Sequence, residues 1–359
     1  MKRAKFWLSK AAIKLAFNMM PFIYTSLPTR VVFGRGKISE AAAEASRLNI
    51  KRPLVITTAQ QASSGEAIIK SSGGVAFAGA AMHTPTHITE EALAFAQANN
   101  CDGTIALGGG SSTGLGKAIA LRTDWPQLVI PTSYAGSEMT NILGETSGGA
   151  KTTKRDAKIQ PESVIYDPDL LATLPPSFAA TSGMNAIAHA VEGLYAVDGN
   201  PIVSLMAEEG IRALAAALPK NDHEQALYGA WLCGTVLGSV SMALHHKLCH
   251  VLGGSFDLPH AETHTIILPH ATAYNSNSAE AMSRIARAID ASSAAQGLYD
   301  LAKSLGAKMA LEDFGMNEQD LDKAADIAAS NPYPNPRPIE QAAIRELLDK
   351  AFHGRRPNH

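Results

Sequence analysis

Thr104-Ile-Ala-Leu-Gly-Gly-Gly-Ser-Ser-Thr-Gly-Leu-Gly-Lys-Ala-Ile-Ala-Leu121 is the stretch on which the fold turns. Residues 104–107 are a short apolar run, read as a buried strand. Residues 108–110 are three glycines that make a tight turn, and residues 113–121 have helical character. A strand that passes through glycines into a helix is half of a βαβ unit. The flanking sequence repeats the alternation. Upstream, residues 53–58 (PLVITT) are apolar and β-branched, and residues 74–81 form a weaker strand. Thr89, followed by Glu90 and Glu91, reads as an N-cap with acids in the first turn of a helix that runs through 92–98 and stops at Asn99-Asn100. Downstream, residues 128–131 are another strand. Residues 21–170 are therefore expected to be an α/β domain built on a parallel sheet.

Beyond Asp167-Pro168 the texture changes. Ala- and Leu-rich segments at helical period occupy 177–196, 201–218, 223–242, 243–252, 279–291, 294–305, 319–329 and 339–352. No β-run stands out there, so residues 171–359 are expected to be all-helical. The stretch 167–176, with three prolines, is expected to be the hinge. Lys10 and Lys14 interrupt the apolar run within residues 1–20, so no uninterrupted secretory core is present. That segment reads as a disordered extension or an upstream start. No run of about 18 apolar residues occurs, which argues against a membrane span.

Hydrophobic residues make up 46% of the 359, enough for substantial cores, and the net charge of −2 carries no nucleic-acid signature. Cys101, Cys233 and Cys249 share no CxxC spacing, which suggests reduced thiols in a cytoplasm.

The glycine turn has a chemical use. Gly108, Gly109 and Gly110 permit close backbone approach, and the helix beginning near Ser111 offers unpaired N–H groups to a pyrophosphate. The spacing is GxGxxxG and follows a later strand, so alone it is equally compatible with a plain βα turn. A second polar loop follows the next strand: Pro131-Thr-Ser-Tyr-Ala-Gly-Ser-Glu-Met-Thr140. Thr132, Ser133, Ser137 and Thr140 supply hydroxyls there. Two polar loops at adjacent strand ends are what a dinucleotide site needs.

The helical half holds the other constellation. His246 and His250 lie four apart, on one face of a helix, with His260 following; Asn185 and His189 repeat the spacing. Four imidazoles in one cleft could grip a metal, move a proton or hold an anion. His245 is expected to face away from His246. His264 and His270 are ambiguous, and His83, His87, His223, His353 and His359 read as surface or loop residues. Glu192 either orients His189 or faces water. Arg337 reads as a surface arginine with a substrate carboxylate as the alternative.

Together these pieces resemble the iron-containing (group III) alcohol dehydrogenase family over nearly all of residues 22–352. The resemblance rests on Gly108-Gly-Gly-Ser111, on Pro131-Thr132 with Gly136-Ser-Glu138, and on Gly183-Met-Asn-Ala-Ile-Ala-His-Ala-Val-Glu192. It also rests on His246-x3-His250-x9-His260 and on Asn275. It implies a dinucleotide-binding α/β domain followed by a helical catalytic domain, and a homodimer. Within the family, Tyr134-Ala-Gly-Ser137, Asn185, the tail Asn331-Pro-Tyr-Pro-Asn-Pro-Arg-Pro-Ile339 and the stretch from Lys154-Arg-Asp156 to Tyr166-Asp-Pro168 are similar to the maleylacetate-reducing branch. That implies reduction of 2-maleylacetate, a small dicarboxylate, to 3-oxoadipate in aromatic-compound breakdown.

The resemblance places metal ligands of other members at Asn185, His189, His246 and His260. Here a neutral amide stands in place of the aspartate, so metal-independent chemistry is expected, with a metal-dependent alcohol or polyol dehydrogenase as the alternative. His246 and His250 are then expected to polarise the ketone and donate the proton, with His189 and His260 in support. Thr58 ends the first strand where NAD-specific relatives carry an aspartate, so NADH and NADPH are both expected to serve. Tyr134 and Lys151 are added to the expected cofactor contacts by the same resemblance.

Overall fold

The computed structural model describes residues 21–148 and 150–358, leaving aside the side chains of Gln60, Ala150 and Lys151. The expected extension over 1–20 and His359 lie outside the described residues.

The first half runs β1 (Arg30–Phe33), α1 (Ala41–Arg47), β2 (Pro53–Ile56), α2 (Ala62–Ser72), β3 (Val75–Phe77), α3 (Thr86–Ala98), β4 (Gly103–Gly108), α4 (Gly110–Thr123) and β5 (Gln127–Pro131). It ends with β6 (Ile142–Ser147), β7 (Ala150–Arg155) and β8 (Ser163–Tyr166). Six of these strands form one parallel sheet in the order β1-β8-β5-β4-β2-β3, while β6 and β7 pair as an antiparallel hairpin. The strands alternate as a two-faced buried sheet must. Leu54 and Ile56 pack with Ala92, Ala96, Leu115 and Ile119 of α3 and α4 on one face. Val55, Ile105 and Leu107 pack with Ala41, Ala45 and Ile68 of α1 and α2 on the other. Successive strands are added outward to β3 and then on the far side of β2. The order therefore reverses between β2 and β4, and a crevice opens there at the strand carboxyl ends.

The second half is helical: α5 (Pro176–Gly193), α6 (Pro201–Ala217), α7 (His223–Ser239), α8 (Leu244–Phe256), α9 (His260–Tyr274), α10 (Ala279–Ala288), α11 (Ala294–Ser304), α12 (Leu321–Ala329) and α13 (Gln341–Phe352). No strand occurs beyond Tyr166 among the described residues. Helix α5 is buried from Ala179 to Gly193 and forms the axis against which α6, α7 and α9 pack. Helices α8, α9, α12 and α13 share a second core around Leu248, Ile267, Leu321 and Leu348. No single helix among the described residues is long and apolar enough to cross a membrane.

The sequence reading missed α9 entirely. Pro259 precedes it, Pro269 lies inside it, and its first turns carry Glu262, Thr263, His264 and Thr265, which hide the apolar period. It also missed β1, β8, α1, α2 and the β6–β7 hairpin. Helix α3 starts at Thr86 with Pro85 as its cap, so Thr89 is not the N-cap but a fully buried first-turn residue. The expected hinge contains an anchor: the buried Asp167 carboxylate accepts the N–H groups of Gly36 (3.0 Å), Ile38 (2.8 Å) and Asp169 (3.1 Å).

Candidate active site

Helices α5, α8 and α9 bring six imidazoles into one cluster. His189 and His246 are buried, and His250 and His260 are exposed. His264 lies at the centre, its ring centroid 4.3 Å from that of His260, 4.8 Å from His245, 5.1 Å from His246 and 6.2 Å from His189. His250 follows His246 by one helical turn, with centroids 6.3 Å apart.

One hydrogen-bonded chain runs through the buried members. Glu192 Oε2 meets His246 Nδ1 at 2.7 Å, His246 Nε2 meets His189 Nδ1 at 2.8 Å, and His189 Nε2 meets the Ala135 carbonyl at 3.2 Å. The partners dictate the protons. A carbonyl only accepts, so His189 carries its hydrogen on Nε2, and its Nδ1 is bare if the ring is neutral. Neutrality is what burial enforces, with His246 second: together they hold His189 well below the usual histidine range. His246 Nε2 must then donate. On its other side the Glu192 carboxylate, wholly buried, also accepts backbone N–H groups from Ala243 (2.9 Å), His245 (2.8 Å) and His246 (3.3 Å). Three N–H donors at the amino end of α8 favour the ionised carboxylate, so His246 Nδ1 also donates. His246 thus gives one N–H to the buried Glu192 carboxylate and the other to His189 Nδ1. Glu192 does not face water and does not orient His189, as the sequence left open. It anchors α8 and fixes the His246 ring.

His245 departs from expectation too. It does face away from His246, but into protein: α9 covers that side, and His245 Nε2 lies 2.9 Å from His264 Nδ1. His264 was left ambiguous because α9 was not foreseen. His270, also on α9, is buried, and its imidazole is pulled down to about 4, first by burial and then by Lys350 of α13. His223 is not a simple surface residue, since its Nδ1 lies 2.8 Å from the Tyr134 hydroxyl. Arg337 stacks on Tyr274 with its guanidinium carbon 4.2 Å from the ring centroid.

The crevice between β2 and β4 holds the glycine turn. Gly108 has φ +148°, and a Cβ there would stand 2.4 Å from Ser112 Oγ and 2.7 Å from Gln61 Oε1. A Cβ on Gly110, the first residue of α4, meets nothing within 4 Å. The backbone is thus forced into shape at the strand end and open at the helix amino terminus, as an approaching diphosphate requires. Ser111 lies in the first turn of α4 and Thr58 just past the end of β2. The Thr132 hydroxyl meets Gln61 Nε2, and Ser133 Oγ lies beside Gly109.

Three expected contacts are placed elsewhere. The Lys117 ammonium, fully buried and brought down to about 7 by burial, donates to Thr140 Oγ1 (2.9 Å) and to the carbonyls of Ser137, Thr140 (2.7 Å) and Ile142 (3.0 Å). It also lies 3.4 Å from Ser137 Oγ. Ser137 and Thr140 therefore clamp a buried cation. The Tyr134 ring is part of the apolar core, with its hydroxyl on His223. Lys151 lies on β7, opposite Thr146, and its side chain is outside the description.

The same loop ties crevice to imidazoles. Ala135, which accepts from His189, is three residues past Thr132. Gly136, at φ +78°, sits where a Cβ would be 3.0 Å from Gly234 Cα and 3.5 Å from His189 Cδ2. Only glycines on both sides let the loop press against α7 this closely.

Comparison with known proteins agrees with this geometry. Residues 28–168 match the family model for iron-containing alcohol dehydrogenase, and residues 179–352 match that for the C-terminal part of the Fe-containing alcohol dehydrogenase family. The chain belongs to the iron-containing alcohol dehydrogenase family. It is 52% identical over 350 residues to maleylacetate reductase of Rhizobium sp., covering 94% of this chain and 100% of that one. The crystal structure of maleylacetate reductase from Agrobacterium tumefaciens superposes with a TM-score of 0.91 at 52% identity, over 94% of this chain and 100% of that one. An iron-containing alcohol dehydrogenase from Corynebacterium glutamicum gives 0.88 at 37% identity, over 95% and 99%.

The family's name raises the question of iron. Asn185, His189, His246 and His260 are the positions its resemblance points to, and this set offers a divalent ion three imidazoles and an amide oxygen but no carboxylate. Both ring nitrogens of His189 and of His246 have protein partners in this arrangement. Asn185 brings no negative charge; its buried Oδ1 has no hydrogen-bond partner.

Proposed function

We propose that this protein reduces maleylacetate to 3-oxoadipate at the expense of NADH or NADPH and needs no metal ion for the step. In this reading residues 21–170 hold the dinucleotide and residues 171–359 carry the imidazoles. Gly108, Gly109, Gly110, Ser111, Thr132 and Ser133 line the diphosphate side, with Thr58 toward a ribose; Lys151 keeps the cofactor contact that the family resemblance implies for its position. The observation that carries the proposal is the Glu192–His246–His189 chain, which sets His246 on a buried carboxylate and ends on the Ala135 carbonyl of the loop beside the cofactor crevice.

Maleylacetate is a dianionic enone. Bound reduced nicotinamide supplies hydride to its β-carbon. Charge then collects on the ketone oxygen, and a charged His246 ring, its two N–H groups held by Glu192 and His189, stabilises that charge through its field rather than through a direct hydrogen bond. His250, exposed one turn further along α8, hands a proton to the α-carbon and regains it from water. His189 keeps the His246 Nε2 proton in line, and His260, at the amino end of α9, meets a substrate carboxylate.

The direct test is NADH oxidation with maleylacetate before and after exhaustive chelation, with metal content measured in both samples. Undiminished turnover after chelation is expected. Loss that only added iron or zinc restores would instead support a metal-dependent alcohol dehydrogenase.

Cofactor choice follows from the end of β2. Thr58 carries no carboxylate to repel a 2′-phosphate. Both cofactors are expected to work, and a kcat/KM preference for NADH beyond about 1,000-fold, or ~4 kcal/mol, would contradict this.

A further inference from the structure

Behind the imidazole chain lies a second cluster that the reaction does not use. His245 and Cys249 are four apart on α8 and share a face, and His264 of α9 meets them from the other side. His245 Nε2 lies 2.9 Å from His264 Nδ1 and 3.7 Å from Cys249 Sγ, and the three atoms all fall within 4.8 Å of one another. All three side chains are buried. We propose that His245 Nε2, Cys249 Sγ and His264 Nδ1 form a binding site for one borderline-soft divalent cation of the zinc type, joining α8 to α9.

The geometry suits such an ion. With Zn–N of about 2.0–2.1 Å and Zn–S of about 2.3 Å, tetrahedral ligands stand about 3.4 Å (N to N) and about 3.6 Å (N to S) apart. The observed 2.9 and 3.7 Å bracket those separations, and the third pair lies within 4.8 Å, so modest side-chain shifts bring the three atoms around one ion. Three protein ligands leave a fourth position open, as in many zinc sites.

The protein alone satisfies the trio poorly. One proton is shared between the two imidazoles, and the sulfur contact is long. His245 Nδ1 and His264 Nε2, both buried, have no hydrogen-bond partner. A cation takes the lone pairs of all three inner atoms at once. The proton balance is simple. Cys249 S–H gives its proton to solvent as the S–metal bond forms, and each imidazole stays neutral with its proton on the outer nitrogen. Burial, and then the Glu192 carboxylate, push the unligated thiol up, so loading becomes easier as pH rises. That carboxylate also offsets part of the charge a bound cation adds. No residue is shared with Asn185, His189, His246 or His260, and the site does not depend on the reaction proposed above.

The test is protein produced in cobalt-supplemented minimal medium, purified with a reductant, and read without substrate. Expected are about one cobalt per chain, a thiolate-to-cobalt charge-transfer band, and an X-ray absorption spectrum with one sulfur and two imidazole nitrogens in the metal shell. Cys249→Ser should lose the band, while His189→Ala should keep it. A wild-type protein without bound cobalt, or with cobalt in an all-nitrogen and oxygen shell, would overturn the proposal even if Cys249→Ser failed to fold. Retention of the band in folded Cys249→Ser would do so too.

Discussion

Glu192→Gln is expected to lower kcat by about 100- to 10,000-fold, the range a positioned acid contributes, while the affinity for NADH stays within a few-fold. The substitution keeps the volume and removes the charge. Its amide cannot satisfy what the carboxylate satisfies. Glu192 Oε2 accepts from Ala243 N, His246 N and His246 Nδ1, and Oε1 accepts from His245 N. If the amide oxygen takes the first position, its NH₂ confronts the His245 N–H. If it takes the second, the NH₂ confronts three donors. Either way a buried donor meets a donor, and the counter-ion that keeps His246 charged is gone.

Breaking a buried pair from one side also costs about 3–5 kcal/mol of stability, so the variant should melt lower. Stability loss alone would not separate a structural role from a chemical one. The separating measurement is kinetic: on protein shown folded by circular dichroism, kcat should collapse with little change in KM, and Glu192→Asp should recover part of it. A folded Glu192→Gln enzyme with kcat within threefold of wild type would remove the imidazolium from the mechanism.

Glu192 also marks where sequence reasoning stopped. The glycine turn was legible because backbone chemistry is local: Gly108 needs its φ whatever surrounds it. The pairs Asn185/His189 and His246/His250 were legible because helical spacing fixes which side chains share a face. Spacing does not reveal what covers that face. His245 was rightly turned away from His246, yet α9 makes the far side of α8 interior as well, and α9 itself was hidden by Pro269 and its polar first turns. With α9 unseen, His264 had no place, and Cys249 read as an inert buried thiol. Ser137 and Thr140 show the opposite error. Hydroxyls on a loop beside a crevice look like ligand contacts, but Lys117, buried on the preceding helix α4, needs acceptors from the same loop. Only tertiary packing says which demand wins.

Acid should unfold this protein unusually early. His189, His245 and His264 are held well below the ordinary range, and His270 lies at about 4, with burial the first cause in each. In the unfolded chain each titrates near 6.5. The sign follows directly. Above 6.5 both states leave these rings neutral and nothing is lost. As pH falls below 6.5 the unfolded state takes up protons that the native state refuses, so stability falls until the native pKa values are reached. Between pH 7.5 and 5.5 one such ring contributes about 1.4 kcal/mol, so four contribute as much as about 5 kcal/mol. That is comparable to the whole stability of a marginal domain, about 5–15 kcal/mol. Ordinary Asp and Glu titrate below that window, while Glu138 and Glu162, both pushed up by burial, act in the opposite sense and offset part of the loss. Urea unfolding at pH 7.5 and 5.5 should show the difference as a drop in midpoint, with the native ring signals of His189, His245 and His264 still those of neutral imidazole at pH 5.5. His270→Asn, outside the imidazole chain, should flatten the slope by about one proton. Equal stability at the two pH values would mean that the cluster accepts protons while folded, and that the chain through His189 carries more positive charge than its hydrogen bonds permit.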